Sequence, residues 1–94
     1  MITKKIIITG GATRIGAAIA KSLADYETTI AIHYNKSKSN ALKLKKELEN
    51  LGSEVYLLKA DLNNYKQTKE LVKSAFKKMK GLNCLINNAS LFEN

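Results

Sequence analysis

The run Thr9-Gly10-Gly11-Ala12-Thr13-Arg14-Ile15-Gly16 combines three glycines with the chain's single arginine, directly after the apolar segment Ile6-Ile7-Ile8. Glycines end strands for purely structural reasons, but they also allow tight turns and a close approach of backbone to a ligand. If a helix starts at the end of this run, its first amides present a positive dipole end to an anion. Gly10 then supplies the turn, and Gly16 lets the helix pack closely on the strand. Arg14 sharpens the reading, because a cation at a helix N-terminus is unfavourable unless an anion neutralises it. The chemistry implied is phosphate recognition.

Other residues able to do chemistry lie at the ends of later apolar runs. An acidic residue after the second strand, about 20 residues beyond the glycines, would hold the ribose hydroxyls of NAD. None is there: the segment reads His33-Tyr34-Asn35-Lys36-Ser37, and Asp25 and Glu27 precede the strand. Asp61-Leu62 and Asn87-Asn88-Ala89-Ser90 follow the third and fourth runs. Asp61 reads equally as a turn cap, and the asparagines as turn residues or as amides bridging neighbouring strands. His33, the only histidine, reads as a strand side chain and not a base. Cys84, the only cysteine, falls inside the run Leu82 to Ile86, where a buried inert thiol is expected and no disulfide within the chain can form.

These residues need elements to position them. Four apolar runs, Ile6 to Ile8, Ile30 to Ile32, Val55 to Leu58 and Leu82 to Ile86, are continuous, as in strands covered on both faces. Between them lie three stripes of helical period: Ile15, Ala18, Ile19, Ser22 and Leu23; Ala41, Leu44, Leu48 and Leu51; Thr68, Leu71, Val72, Ala75, Phe76 and Met79. Ser37 and Asn63 or Asn64 are candidate N-caps, and Gly52 and Gly81 stand where left-handed C-caps belong. Alternating strands and helices with right-handed crossovers make a parallel sheet flanked by helices, half of a doubly wound α/β fold in the order 3-2-1-4.

The composition fits one ordinary globular domain of 94 residues, 45% hydrophobic and 26% charged. The net charge of +8 raises nucleic-acid binding, but the lysines concentrate in Lys36 to Lys46 and Lys66 to Lys80, on the sides away from the apolar stripes. Solvated helix faces are expected instead, with no nucleic-acid partner. No stretch is long and apolar enough to cross a bilayer, and the first residues lead straight into a strand, so no membrane partner and a cytoplasmic location are expected.

The Thr-Gly-x-x-x-Arg-x-Gly loop, Asp61-Leu62 and Asn87-Asn88-Ala89-Ser90, in that order on successive strand ends, resemble the short-chain dehydrogenase/reductase family over the whole chain. Arg14 in place of a middle glycine, with Ser90 and an aromatic two residues on, is similar to its pteridine-reductase branch. The resemblance implies a Rossmann domain, here its N-terminal half over residues 1–94, and the cofactor NADP (NADPH). It implies cofactor contacts at Thr9, Gly10, Arg14, Ile15, Gly16, Tyr34, Asn35, Lys36, Ser37, Asp61, Leu62, Asn88, Ala89 and Ser90, with the 2'-phosphate among Arg14, Asn35, Lys36 and Ser37. Asn87 takes a structural role, and Ser90 and Phe92 contact a pterin. No metal is implied. The family's catalytic tyrosine and lysine follow the fourth strand, so none is assigned here; Tyr34/Lys38 and Tyr65/Lys69 match the spacing on other elements. The resemblance thus implies a homo-oligomeric parent oxidoreductase acting on a small molecule, and a 94-residue chain inactive by itself. A carbonyl or 3-oxoacyl reductase, and a non-catalytic nucleotide-binding or basic interaction protein, stand as alternatives.

Overall fold

The computed structural model describes residues 4–88. Elements follow as β1 (Lys4–Thr9), α1 (Arg14–Leu23), β2 (Thr28–Tyr34), α2 (Lys38–Asn50), β3 (Glu54–Lys59), α3 (Tyr65–Met79) and β4 (Cys84–Asn87). The strands form one parallel sheet in the order β3-β2-β1-β4, as the apolar runs and crossover rule require.

Alternation along the central strands divides the core in two. Ile6, Ile8, Ile30, Ile32 and Val55 face Ala20 of α1 and Leu44 and Leu48 of α2. Ile7, Ala31, Leu58 and Ala60 face Leu71, Ala75 and Met79 of α3. The register aligns Ile8 with Ile32 and Ile86, and Thr9 with Asn87, which brings the C-terminal ends of β1, β2 and β4 level at one edge of the sheet.

Several local expectations are corrected. In α1 the inward face is Gly16 and Ala20, flanked by Ala17, Ile19 and Leu23, while Ile15 and Ala18 are exposed. The first turn of the helix lies against Gly10, Gly11 and Asn88 too closely for a side chain at Gly16. Val72 and Phe76 of α3 and Leu51 are also exposed. Ser37 precedes α2 without a side-chain capping bond, whereas Asn64 caps α3 by accepting from the Gln67 amide at 3.1 Å. The left-handed C-cap of α3 is Lys80 (φ 58°), one residue before Gly81. Cys84 is exposed, because among the described residues β4 has a strand on one side only.

Candidate functional site

Thr9 ends β1 as a buried polar residue. Its hydroxyl donates to Asn87 Oδ1 (3.0 Å) and accepts from the Asn88 amide (3.1 Å), locking β1 to β4. The chain then turns sharply at Gly10 (φ 60°), a conformation glycine adopts without a side-chain penalty. The Gly10 carbonyl points back into the turn and accepts from the Thr13 hydroxyl (2.7 Å), the Thr13 amide (3.1 Å) and Asn88 Nδ2 (3.0 Å). Thr13 caps α1 by accepting from the Gly16 amide at 3.2 Å. The loop is held from three sides, and the remaining first-turn amides of α1 have no carbonyl one turn behind them within the helix.

Gly16 is where helix and loop come closest. A Cβ there would collide with the Gly10 carbonyl, lie 2.7 Å from Gly11 Cα and 2.9 Å from Asn88 Nδ2. Beside the loop, α1 and α2 enclose an open cleft of about 370 Å³ lined by Thr13, Arg14 and Lys21 on one side and Ser37, Asn40, Lys43 and Glu47 on the other. Its one carboxylate among the described residues, Glu47, is committed to Lys21 Nζ at 2.6 Å, and this hydrogen bond is the main reason its pKa lies below the usual glutamate value. Arg14 is exposed and faces no acid lining the cleft other than that paired one. A loop that admits only glycine at its tightest point adjoins a cleft whose cations, Arg14, Lys21 and Lys43, outnumber its one described carboxylate, an arrangement suited to an anion.

The expected site residues distribute unevenly over this geometry. Thr9, Gly10, Gly16, Asn87 and Asn88 converge on the loop, and Arg14 and Ser37 line the cleft. Tyr34 is half-buried at the end of β2, its carbonyl accepting from the Ala60 amide. Tyr34, Asn35 and Lys36 do not line the cleft, and Asn35 and Lys36 are exposed. Ile15 is 68% exposed at the first turn of α1. Asp61 folds onto its own loop, accepting from the Asn63 amide at 2.9 Å, and Leu62 packs against the α3 side of the core. Ala89, Ser90 and Phe92 lie outside the described residues. Asp25 sits at the opposite end of β2, its carboxylate held below the ordinary pKa by the Thr28 hydroxyl and then the Glu27 amide.

Sequence reasoning missed two features. Asn40 and Lys43 share the cleft because Ser37, Asn40, Lys43 and Glu47 fall on one face of α2, a spacing indistinguishable from a solvated stripe until α1 is placed opposite. His33 is the other. Its ring is buried, Nδ1 accepts from the Gly10 amide at 2.8 Å and Nε2 lies 2.8 Å from the Ala60 carbonyl. An Nδ1 that accepts leaves the hydrogen on Nε2, so the ring is neutral and donates to Ala60. Burial pushes its pKa below the usual histidine value, against a smaller upward pull from that carbonyl.

No group of three or more histidine, cysteine or acidic residues that could hold a metal occurs among the described residues, and no described helix is long and apolar enough to cross a membrane.

Residues 4–94 match the family described as short chain dehydrogenase. An uncharacterized oxidoreductase of Methylorubrum extorquens is 31% identical over 96% of this chain and 36% of its own length. The 3-oxoacyl-[acyl-carrier-protein] reductase FabG of Staphylococcus aureus is 28% identical over 96% of this chain and 37% of its own. This chain therefore spans little more than a third of those relatives. The short-chain dehydrogenase/reductase homolog YusS of Bacillus subtilis, 25% identical over 97% of this chain, is matched over 84% of its own length. Among solved structures, a short chain dehydrogenase from Burkholderia cenocepacia in complex with NADP superimposes with a TM-score of 0.88, at 36% identity over 96% of this chain and 37% of that one. An NADH-dependent reductase complexed with NAD superimposes at 0.86, with 28% identity over 95% of this chain and 37% of that one. Glycine loop, sheet order and asparagine clamp agree with these likenesses: the chain belongs to the short-chain dehydrogenase family.

Proposed function

We propose that this chain is the cofactor-binding part of an NADPH-dependent oxidoreductase. The observation that carries the reading is the cleft beside the glycine loop, where Arg14, Lys43 and Ser37 converge and the single acid is neutralised by Lys21. A 2'-phosphate fits there, and among the described residues no unpaired carboxylate lines the cleft to hold the ribose diol of NADH. The loop binds the pyrophosphate, and bound cofactor supplies the hydride. Asn87 and Asn88 fix the loop, while Asp61 and Leu62 border the adenine. Lys36 adds charge from outside the cleft.

Titration of NADPH and NADH against wild type and Arg14→Ala tests the reading. Arg14→Ala should weaken NADPH by about 1.5–3 kcal/mol, the size of a charge-assisted contact, and leave NADH nearly unchanged. Equal wild-type affinity for both cofactors, or NADPH binding indifferent to Arg14, contradicts it.

The remaining proposals concern the protein as a whole. Its substrate is a small heteroaromatic molecule of the pterin class, taken between the nicotinamide and Phe92 with Ser90 beside it; the motivation is the Asn88-Ala89-Ser90-Leu91-Phe92 segment following β4. Turnover of dihydropterin by a parent protein that includes a positioned tyrosine and lysine, compared between wild type and Phe92→Ala, tests this. A parent that ignores pterins and reduces 3-oxoacyl thioesters supports the FabG-like alternative. The parent is a cytoplasmic homo-oligomer on this reading. A second reading, a short nucleotide-binding protein without reductase activity, is favoured by the match to YusS over most of that protein's length. NADPH binding by the 94-residue chain without turnover of any carbonyl or pterin supports it.

A further inference from the structure

The Gly10 amide, the first donor of the loop, points inward and ends on a titratable ring. It donates to His33 Nδ1 at 2.8 Å, the Gly11 amide donates to the His33 carbonyl at 3.1 Å, and His33 Nε2 donates to the Ala60 carbonyl at 2.8 Å. One residue of β2 thereby braces the glycine loop after β1 against the end of β3, and fixes the peptide orientation that sends the Gly10 carbonyl to Thr13 and Asn88. We propose that His33 is a positioning residue for the cofactor's pyrophosphate, and that only its neutral ring, accepting from the Gly10 amide, holds the loop in the binding conformation. A proton on Nδ1 sets two donors against each other at 2.8 Å; the loop must then turn away from the ring.

The reading is confined to His33 by its surroundings. The packed elements carry Arg14 in α1, Lys36 after β2, Lys59 at the end of β3, Asp61 beyond it, and Lys66 and Glu70 in α3. Burial and the Ala60 carbonyl are what shift the ring's pKa, with no contribution from Asp61 or Glu70. The inference rests on the loop being a pyrophosphate cradle, but not on the choice between NADPH and NADH.

NAD⁺ is a suitable probe, because it lacks the 2'-phosphate that titrates near neutrality. Its affinity for wild type, measured calorimetrically from about pH 8 down to the acid limit of folding, should stay flat through the ordinary histidine pKa of about 6.5 and fall several-fold or more only below the folded ring's own pKa, which burial holds under that value. His33→Asn puts an acceptor without a titrating proton where Nδ1 stands; its affinity should stay within about threefold of wild type at the high end and become flat with pH. His33→Leu removes the acceptor and should bind at least about tenfold more weakly throughout. The Gly10 amide resonance, followed by NMR without ligand, should titrate together with the His33 ring. A flat wild-type profile, a His33→Asn profile that still falls with acid, or wild-type affinity in His33→Leu overturns the proposal while leaving the cofactor reading intact. A Gly10 resonance indifferent to His33 ionisation overturns it even if no NAD⁺ binds. Absence of both NAD⁺ and NADPH binding at every pH overturns the cofactor reading as well.

Discussion

At the scale of single residues the loop is fixed by steric necessity as much as by hydrogen bonds. Gly16→Ala forces a methyl group against the Gly10 carbonyl and the Asn88 amide. Overpacking of this kind costs about 1–3 kcal/mol, and chemical denaturation should read that loss together with weaker cofactor binding. A Gly16→Ala protein as stable as wild type contradicts the contact. His33 also makes stability depend on pH. Its folded pKa lies below the reference value of 6.5, so as pH falls the unfolded chain takes up the proton first. Above about pH 6.5 the group contributes no pH dependence; below it stability falls, by up to about 1.4 kcal/mol per pH unit, until the folded ring also protonates. Denaturation midpoints of wild type and His33→Asn should diverge in that acid window, and parallel curves contradict the assignment. The histidine's role was illegible in the sequence because its partners, Gly10 and Ala60, are 23 and 27 residues away. Only the strand order makes them neighbours.

At the scale of elements, the central strands were legible because Ile6 to Ile8 and Ile30 to Ile32 are short continuous apolar runs, as strands buried on both faces require. The α1 stripe was misassigned for a physical reason. Hydrophobicity favours Ile15, but closeness to the loop favours glycine and alanine, and at this crossing closeness prevails. Likewise Val72 and Phe76 follow the apolar period of α3 yet lie outside the contact made by Leu71, Ala75 and Met79. The C-cap of α3 offers a direct test. Lys80 holds a left-handed conformation that disfavours a Cβ by about 1–2 kcal/mol, so Lys80→Gly should raise stability by somewhat less, after glycine's extra unfolded-state entropy is subtracted. The Lys5 ammonium donates to the Lys80 carbonyl, a main-chain contact the substitution retains. A destabilised Lys80→Gly shows that the lysine side chain contributes more than the cap geometry indicates.

At the scale of the whole molecule, the described sheet is well covered around β1 and β2 and poorly covered at β4, where Leu85 is 54% exposed and Cys84 is exposed. The run Leu82 to Ile86 reads as a strand buried on both faces, and among the described residues it has neither both faces nor both edges covered. An apolar edge of this kind recruits further strands. The 94-residue chain should therefore self-associate at micromolar concentration in sedimentation velocity, and a Leu85→Lys substitution should reduce that association. A concentration-independent monomer contradicts this expectation. The candidate site was legible where chemistry and sequence order coincide, in the glycine loop, Arg14 and the paired asparagines. On the α2 side of the cleft Ser37 was anticipated, and Asn40 and Lys43 became visible only with the packing of α1 on α2. The central claim is that this packing creates a 2'-phosphate site beside a pyrophosphate loop, and NMR mapping of 2',5'-ADP against 5'-AMP tests it most directly. The account predicts markedly tighter binding of 2',5'-ADP, with shifts at the amides from Gly10 to Gly16 and at Ser37, Asn40 and Lys43; equal affinity, or shifts confined to another face of the protein, would contradict it.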